Sequence, residues 1–141
     1  SFIDISALPL FSEDLEQDLP QSVTAFCASV RANDLILIMT PEYNRAIPGV
    51  LKNALDWASR PYGKGALSGK EGAIAGASLG GAGTAAAQVQ LRALLPSLGM
   101  VQIRHPEMCI VWKSSFLNEY NLPADENTTL FFKKFLDALA K

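Results

Sequence analysis

The sequence predicts an α/β protein in which helices cover a mostly parallel, doubly wound sheet. Two observations predict this class. Apolar runs typical of strands alternate with segments of helical periodicity, and polar or glycine-rich loops follow the strands. At 141 residues, 49% of them hydrophobic and 18% charged, the chain is long enough for one domain with a sizeable core. We therefore expect a single domain over residues 1–141.

The first half of the chain contains two strand-like and two helix-like segments. Residues 2–5 alternate loosely, as in a strand, and residues 22–32 repeat apolar side chains at helical spacing. Residues 35–39 are continuously apolar, which predicts an interior strand of a parallel sheet. A helix is predicted to begin at Pro48, where the absent amide hydrogen is not needed, and to end before Pro61.

The second half repeats this alternation. Residues 73–77 predict a buried strand of small side chains, and a long helix begins at Thr84. A short strand at 101–103 resumes at 108–112, and the last helix begins near Asn127. In such sheets, ligands bind beyond the carboxyl ends of the strands, so the loops that follow the strands are the places to look for a site.

Composition excludes several classes of function. With 12 basic and 14 acidic residues, the net charge is −2, and no basic surplus is available to neutralise nucleic-acid phosphates. Cys27 and Cys109 are far apart and offer neither a disulfide framework nor a metal-ligand pair, which fits a reducing cytoplasm. The single histidine, His105, excludes multi-histidine metal sites, and we assign no metal ligands.

One stretch without charge, residues 72–91, is long enough in principle to cross a bilayer. Its five glycines interrupt the apolar character and favour a strand, a tight loop and a helix instead. We therefore expect a cytoplasmic protein with neither a membrane nor a nucleic-acid partner.

Two motifs suggest chemistry that their surroundings do not support. Residues 76–80 fit the G-x-S-x-G elbow of hydrolases, but residues 79–104 contain no aspartate or glutamate to stand before His105 in a triad. Residues 81–86 fit G-x-G-x-x-A, with Glu107 at the spacing of a dinucleotide fingerprint, although the motif follows later strands. Close packing explains both motifs better, while the glycine-rich loop can still present amide groups to a polar ligand.

The loop at residues 40–47 is the strongest candidate for a site. It leaves the most apolar strand, and Pro41 and Pro48 stiffen its two ends by fixing φ. A stiff loop can hold backbone amides and the ring of Tyr43 against a flat ligand with little loss of entropy on binding. An ordinary strand-to-helix turn is the alternative interpretation.

A specific run of sequence surrounds this loop. It consists of Pro41-Glu42-Tyr43-Asn44, the segment IPGVLKNALDW at 47–57 and Ser59-Arg60-Pro61, with further support at 8–10, 14–16 and 78–81. The run resembles the NADPH-dependent FMN reductases, a family of flavodoxin-like proteins that includes quinone, azo-dye and chromate reductases. The resemblance implies a flavodoxin-like sheet, FMN as cofactor, NADPH or NADH as electron donor, and a quinone-like or other small molecule as acceptor.

The resemblance also implies which residues contact FMN. Two groups would hold or approach the isoalloxazine ring: Pro41, Glu42, Tyr43 and Asn44 from the first loop, and Ser78, Leu79, Gly80 and Gly81 from the second. Because the flavin carries out the redox chemistry, we assign no catalytic acid or base. The alternative is a non-catalytic binding or scaffold protein without a working FMN phosphate site.

One departure from the family pattern concerns the start of the chain. The family's first strand and its phosphate-binding loop, rich in Ser, Arg and Asn, have no counterpart, as if roughly 35–40 residues of a βα unit were missing. In the flavodoxin-like strand order, that strand lies between two others, so its absence would leave a gap in the sheet. We expect the natural protein to be longer, or the gap to be filled in another way.

Assembly is the last implication of the resemblance. The helix that carries Trp57, together with the loop 60–70, is similar to the surface that these reductases use to form dimers, which often pair into tetramers. Trp57 is then either an interface anchor or a cover for the protein's own core. Both interpretations are left open.

Overall fold

The computed structural model describes residues 1–140, in which four strands and four α-helices form an α/β fold. In chain order they are α1 (Gln21–Arg31), β1 (Leu35–Met39), α2 (Gly49–Ala58), β2 (Glu71–Ser78), α3 (Ala85–Ser97), β3 (Val101–Gln102), β4 (Met108–Val111) and α4 (Glu126–Leu139). Single 3₁₀ turns occupy Glu13–Leu15 and Ser114–Phe116. The predicted elements from residue 22 onward are confirmed, with ends that differ by no more than a few residues.

β2 is the central strand of a wholly parallel sheet. It pairs with β1 along five residues, from Leu35 opposite Glu71 to Met39 opposite Ala75. On its other side, β3 pairs with the first two residues of β2 and β4 with the last four. β3 and β4 thus act as one interrupted strand, and the predicted parallel arrangement is confirmed.

The core has two parts, one on each face of the sheet. Side chains of α1, α2 and α3 pack together on one face, and α4 covers the small side chains of β2 on the other. The largest fully buried side chains are Trp57, Leu91 and Leu95. The small side chains of Ala73 and Ala75 leave room for the ring of Phe135 from α4.

Trp57 belongs to this core, so the interpretation of it as an interface anchor is wrong. Its exposure is 0%, and its Nε1 donates a hydrogen bond to the carbonyl oxygen of Pro9 at 2.8 Å. The ring of Phe11 meets it edge to face, with the ring centroids 4.9 Å apart. Through these two contacts, Trp57 holds the N-terminal segment against α2, and that segment covers the indole ring from solvent.

β1 lies at the edge of the sheet, which corrects two predictions. Residues 2–5 form no strand, and residues 35–39 are not interior, since Leu37 is 39% and Met39 73% exposed. Thr40 N donates to Ala75 O, and Asp34 O accepts from Glu71 N. Because hydrogen-bonding direction alternates along a strand, the backbone groups of residues 35, 37 and 39 face away from β2 without a partner strand.

A groove of about 550 Å³ runs along this free edge. Residues 1–5 form one wall and β1 another, with apolar side chains of α1 and α2 beneath them. Residues 1–5 make no backbone hydrogen bond to β1.

α4 begins at a side-chain cap. Asp125 Oδ1 accepts from Thr128 N at 2.8 Å, and Oδ2 accepts from Thr128 Oγ1 at 2.9 Å. Both hydrogen bonds lower the pKa of Asp125 below its ordinary value, and the bond from the backbone amide of Thr128 has the larger effect. A depressed pKa means that the carboxylate stabilises the fold at neutral pH and that this contribution is lost as the pH falls through the folded-state pKa.

We therefore expect Asp125→Ala to lower the urea midpoint of unfolding at pH 7, because α4 loses its cap. The difference from the parent protein should narrow as the pH falls below the ordinary aspartate pKa and through the lowered pKa of Asp125 in the folded protein, where the carboxyl group becomes protonated. Asp125→Asn is the matched control and should keep most of the stability at both pH values, since asparagine also caps helices. A deficit for Asp125→Ala that stays constant into acid would refute the electrostatic part of this account.

Candidate functional site

Two loops leave the carboxyl edge of the sheet side by side. The first, residues 40–48, follows β1, and the second, residues 79–84, follows β2. The two loops approach each other closely where they begin, on either side of Gly76. A Cβ on Gly76 would overlap both the carbonyl oxygen of Thr40 and the side chain of Thr84. Only a residue without a side chain lets the loops start this close together.

The first loop contains a tight, strained turn. Tyr43 and Ala46 exchange two backbone hydrogen bonds, of 3.1 and 3.0 Å, across Asn44 and Arg45. Both central residues have positive φ, 52° for Asn44 and 62° for Arg45. Asparagine adopts this conformation more readily than arginine, and such a residue costs on the order of 1–3 kcal/mol. Strain of this kind persists only where neighbouring structure fixes it.

α3 supplies that fixation through two side-chain contacts. The carboxylate of Glu42 accepts from Ala87 N at 3.0 Å in the first turn of α3, where a negative charge is favourable. The carboxamide of Gln90 accepts from Ile47 N at 3.1 Å and donates to Arg45 O at 3.2 Å. Sequence reasoning missed both roles because the loop and the helix are some 45 residues apart along the chain.

The eight predicted FMN contacts all lie on these two loops or at the end of β2: Pro41, Glu42, Tyr43, Asn44, Ser78, Leu79, Gly80 and Gly81. Tyr43 and Leu79 are exposed, at 62% and 84%. The hydroxyl of Ser78 accepts from Gly80 N at 3.0 Å and so closes the turn. The carboxylate of Glu42 is bonded to the backbone of α3.

The second loop presents backbone to open space. Gly83 has φ 60° and packs against the backbone of Cys109 and Ile110, while Gly83 N donates to Gly80 O at 2.9 Å. A Cβ on Gly81 would meet no atom within 4 Å. Within residues 1–140, the amides of Gly81 and Ala82 have no protein acceptor. Free amides on one loop and an exposed aromatic ring on the neighbouring loop, at the same edge of the sheet, suit a planar ligand with acceptor atoms along one edge.

A buried polar cluster supports the second loop from behind. Gln88 is fully buried, and its Nε2 donates to Met108 O at 2.7 Å and to Thr84 Oγ1 at 2.9 Å. Its Oε1 accepts from Arg92 at 3.1 Å, and Arg92 pairs with Glu107 at 3.4 Å. Gln88 shares the apolar face of α3 with leucines three and seven positions later, a signal from which its burial could have been predicted.

The remaining candidate groups do not form a nucleophilic site. Burial raises the pKa of the Cys27 thiol and of the Cys109 thiol, so both are protonated at neutral pH. His105 is exposed in the connection between β3 and β4. The hydroxyl of Ser78 is bonded to Gly80 N within its own turn. The acidic residue that a hydrolase triad requires before the histidine is missing from residues 79–104.

The charge-free stretch 72–91 folds as most of β2, the glycine-rich turn and the first half of α3, as predicted. No helix within residues 1–140 combines the length and the apolar character needed to span a bilayer.

The chain is similar to several known proteins. Residues 1–111 match the family of NADPH-dependent FMN reductases. A 2-hydroxy-1,4-benzoquinone reductase from Burkholderia sp is 45% identical over 139 residues, which are 99% of this chain and 76% of that relative. An NAD(P)H-dependent FMN reductase from Pseudomonas aeruginosa is 41% identical over 96% of this chain and 74% of its own length.

A solved structure is similarly close. FerB, a flavoenzyme NAD(P)H:(acceptor) oxidoreductase from Paracoccus denitrificans, superposes with a TM-score of 0.92 at 39% identity. The match covers 97% of this chain and 75% of FerB. The sequence run around the first loop, the parallel sheet and these matches lead to one conclusion: this chain belongs to the NADPH-dependent FMN reductase family.

Proposed function

We propose that the protein is an FMN-dependent oxidoreductase that takes electrons from NADPH or NADH and passes them to quinones or similar small acceptors. The observation that carries this proposal is the pair of adjoining loops, where free backbone amides and an exposed aromatic ring share one edge of the sheet. Family membership supports it, as do relatives named as quinone reductases that are 37% identical over 98% of this chain.

The chain's own residues would bind and orient the cofactor. Tyr43 offers a flat apolar surface, and the amides of Gly81 and Ala82 offer donors to the ring's carbonyl and nitrogen acceptors. FMN, when bound, supplies the redox chemistry, accepting hydride from the nicotinamide and releasing electrons to the second substrate. Amide donors near the ring favour negative charge on it, so the loops would stabilise the reduced cofactor.

We propose that a further strand, supplied by polypeptide outside these 141 residues, fills the groove beside β1. The free edge of β1 supports this, because an apolar edge strand with unpaired backbone groups favours the addition of another strand. The greater length of the relatives supports it too, since the matches cover only about three quarters of them. A loop after that strand would reach the same carboxyl edge and hold the phosphate of FMN.

Intact mass of the natural protein tests this part of the proposal. We expect a mass above the 15.2 kDa of the 141 residues. A natural protein of 15.2 kDa that is stable and carries FMN would contradict it.

Anaerobic titration tests the enzymatic proposal. We expect the purified protein to carry FMN, to lose its visible flavin absorbance when NADPH or NADH is added, and to recover it when a benzoquinone is added. FMN free in buffer is the control for reduction without protein. Uptake of FMN with no faster bleaching than in the control would favour the binding-protein alternative, and a protein that takes up no FMN would contradict the proposal.

Self-association is also a proposal. Since Trp57 is buried in its own chain, a dimer or tetramer would use other apolar side chains, and Val50, Val89 and Tyr62 are exposed at 63%, 63% and 92%. Sedimentation of the FMN-bound protein tests this: we expect a dimer or larger, and a monomer would contradict it.

A further inference from the structure

The turn at residues 43–46 requires external support. It places two successive residues, Asn44 and Arg45, in the left-handed region, and neither of them is glycine. Its only internal bonds are the two between Tyr43 and Ala46. The side chains of Asn44 and Arg45 are exposed and do not anchor it. Its shape therefore depends on whatever holds the flanking backbone.

The flanks are held from one helix. On the N-terminal side, Glu42 bonds to Ala87 N, and on the C-terminal side Gln90 bonds to Ile47 N and Arg45 O. Positions 87 and 90 lie on the same side of α3, one turn apart. A carboxamide is suited to its place because it carries an acceptor and a donor on one planar group, which the two backbone atoms require.

We propose that Gln90 is a positioning residue for FMN: its carboxamide clamps the turn at 43–46 in the shape that receives the ring. The inference rests on the proposed function and names a residue to which neither the sequence motif nor the family resemblance gave a role. Gln90 lies on the surface of α3 and is not part of either core cluster. Its loss should therefore leave the fold intact while the turn samples other conformations.

Gln90 would affect the affinity for FMN by setting the fraction of molecules whose turn has the receptive shape. If only a fraction of molecules has the receptive turn, the apparent affinity for FMN falls by that fraction. Removing the clamp should therefore raise the Kd for FMN, with little change in the thermal midpoint of the FMN-free protein. Loss of a residue that only stabilises the fold would lower the thermal midpoint and leave the Kd of the folded protein for FMN unchanged.

Three variants test the proposal in the full protein. Gln90→Leu removes both hydrogen bonds at similar size, Gln90→Glu keeps the acceptor for Ile47 N, and Gln21→Leu is a matched control on the exposed first turn of α1. Two readouts are needed: the Kd for FMN from fluorescence titration, and hydrogen exchange at the Ile47 amide without FMN. Thermal midpoints are recorded alongside.

We expect Gln90→Leu to raise the Kd about tenfold and to speed exchange at Ile47, with Gln90→Glu intermediate in Kd and Gln21→Leu unchanged. An unaltered Kd in Gln90→Leu would overturn the proposal, whatever happens to exchange. A thermal midpoint that falls in step with affinity would also overturn it, since that indicates a general structural role. A parent protein that binds no FMN would remove the proposed function and this inference together, whereas normal binding by both parent and Gln90→Leu would remove this inference alone.

Discussion

Replacing Gly76 by alanine should destabilise the protein severely and abolish FMN binding. The new methyl group would overlap the carbonyl oxygen of Thr40 and the side chain of Thr84. Thr40 has little room to move, because its amide donates to Ala75 O of β2 directly beyond the end of β1. Overpacking of this kind costs about 1–3 kcal/mol or more, a large share of a typical total of 5–15 kcal/mol. Chemical denaturation and an FMN titration measure the two effects.

Gly81→Ala is the matched control for this substitution. A methyl group there meets no protein atom within 4 Å, and Gly81 does not have a positive φ, so we expect unfolding to be unchanged. If FMN lies against this loop, the same methyl group intrudes on the ring and should weaken binding about tenfold, which corresponds to about 1.4 kcal/mol. Normal affinity in Gly81→Ala would place the ring elsewhere.

Replacing Trp57 by alanine is the second substitution with a large expected effect. The side chain is fully buried, donates to Pro9 O and packs edge to face with Phe11. Truncating a buried tryptophan costs about 3–5 kcal/mol, so much of the protein should unfold under mild denaturant. Urea unfolding followed by circular dichroism measures the loss without relying on tryptophan fluorescence.

Two further variants separate the contributions at Trp57. Trp57→Phe keeps a ring but loses the hydrogen bond, and we expect it to cost about 1 kcal/mol beyond any repacking. Trp112→Phe changes a side chain that is 37% exposed and should stay within about 0.5 kcal/mol of the parent. A Trp57→Ala protein of normal stability that only dissociates into smaller species would reinstate the interface role.

Local patterns in the sequence predicted most of the fold. The apolar run at 35–39, the small residues at 73–77 and the helical periodicities all form the expected elements, because each depends on residues close together in the chain. The failures at residues 2–5 and at β1 share one cause. Whether a strand pairs on both edges depends on a distant partner, and no neighbour of β1 on its free side is present in residues 1–140.

The candidate site, too, was predictable from the sequence only in part. Its location was predictable, since proline and glycine mark the two loops and parallel strands end at one edge. The clamps by Glu42 and Gln90 were not predictable, because they join residues more than forty positions apart through one hydrogen bond at Glu42 and two at Gln90. Burial of Trp57 depended on Pro9, 48 positions earlier, for the same reason.

Amide NMR of the protein during addition of FMN tests the central claim most directly. We expect the shift changes to saturate with FMN and to be concentrated in the two loops, above all at the backbone amides of Tyr43, Asn44, Gly80 and Gly81. Shift changes confined to the groove between residues 1–5 and β1, or an unchanged spectrum at high FMN concentration, would contradict it.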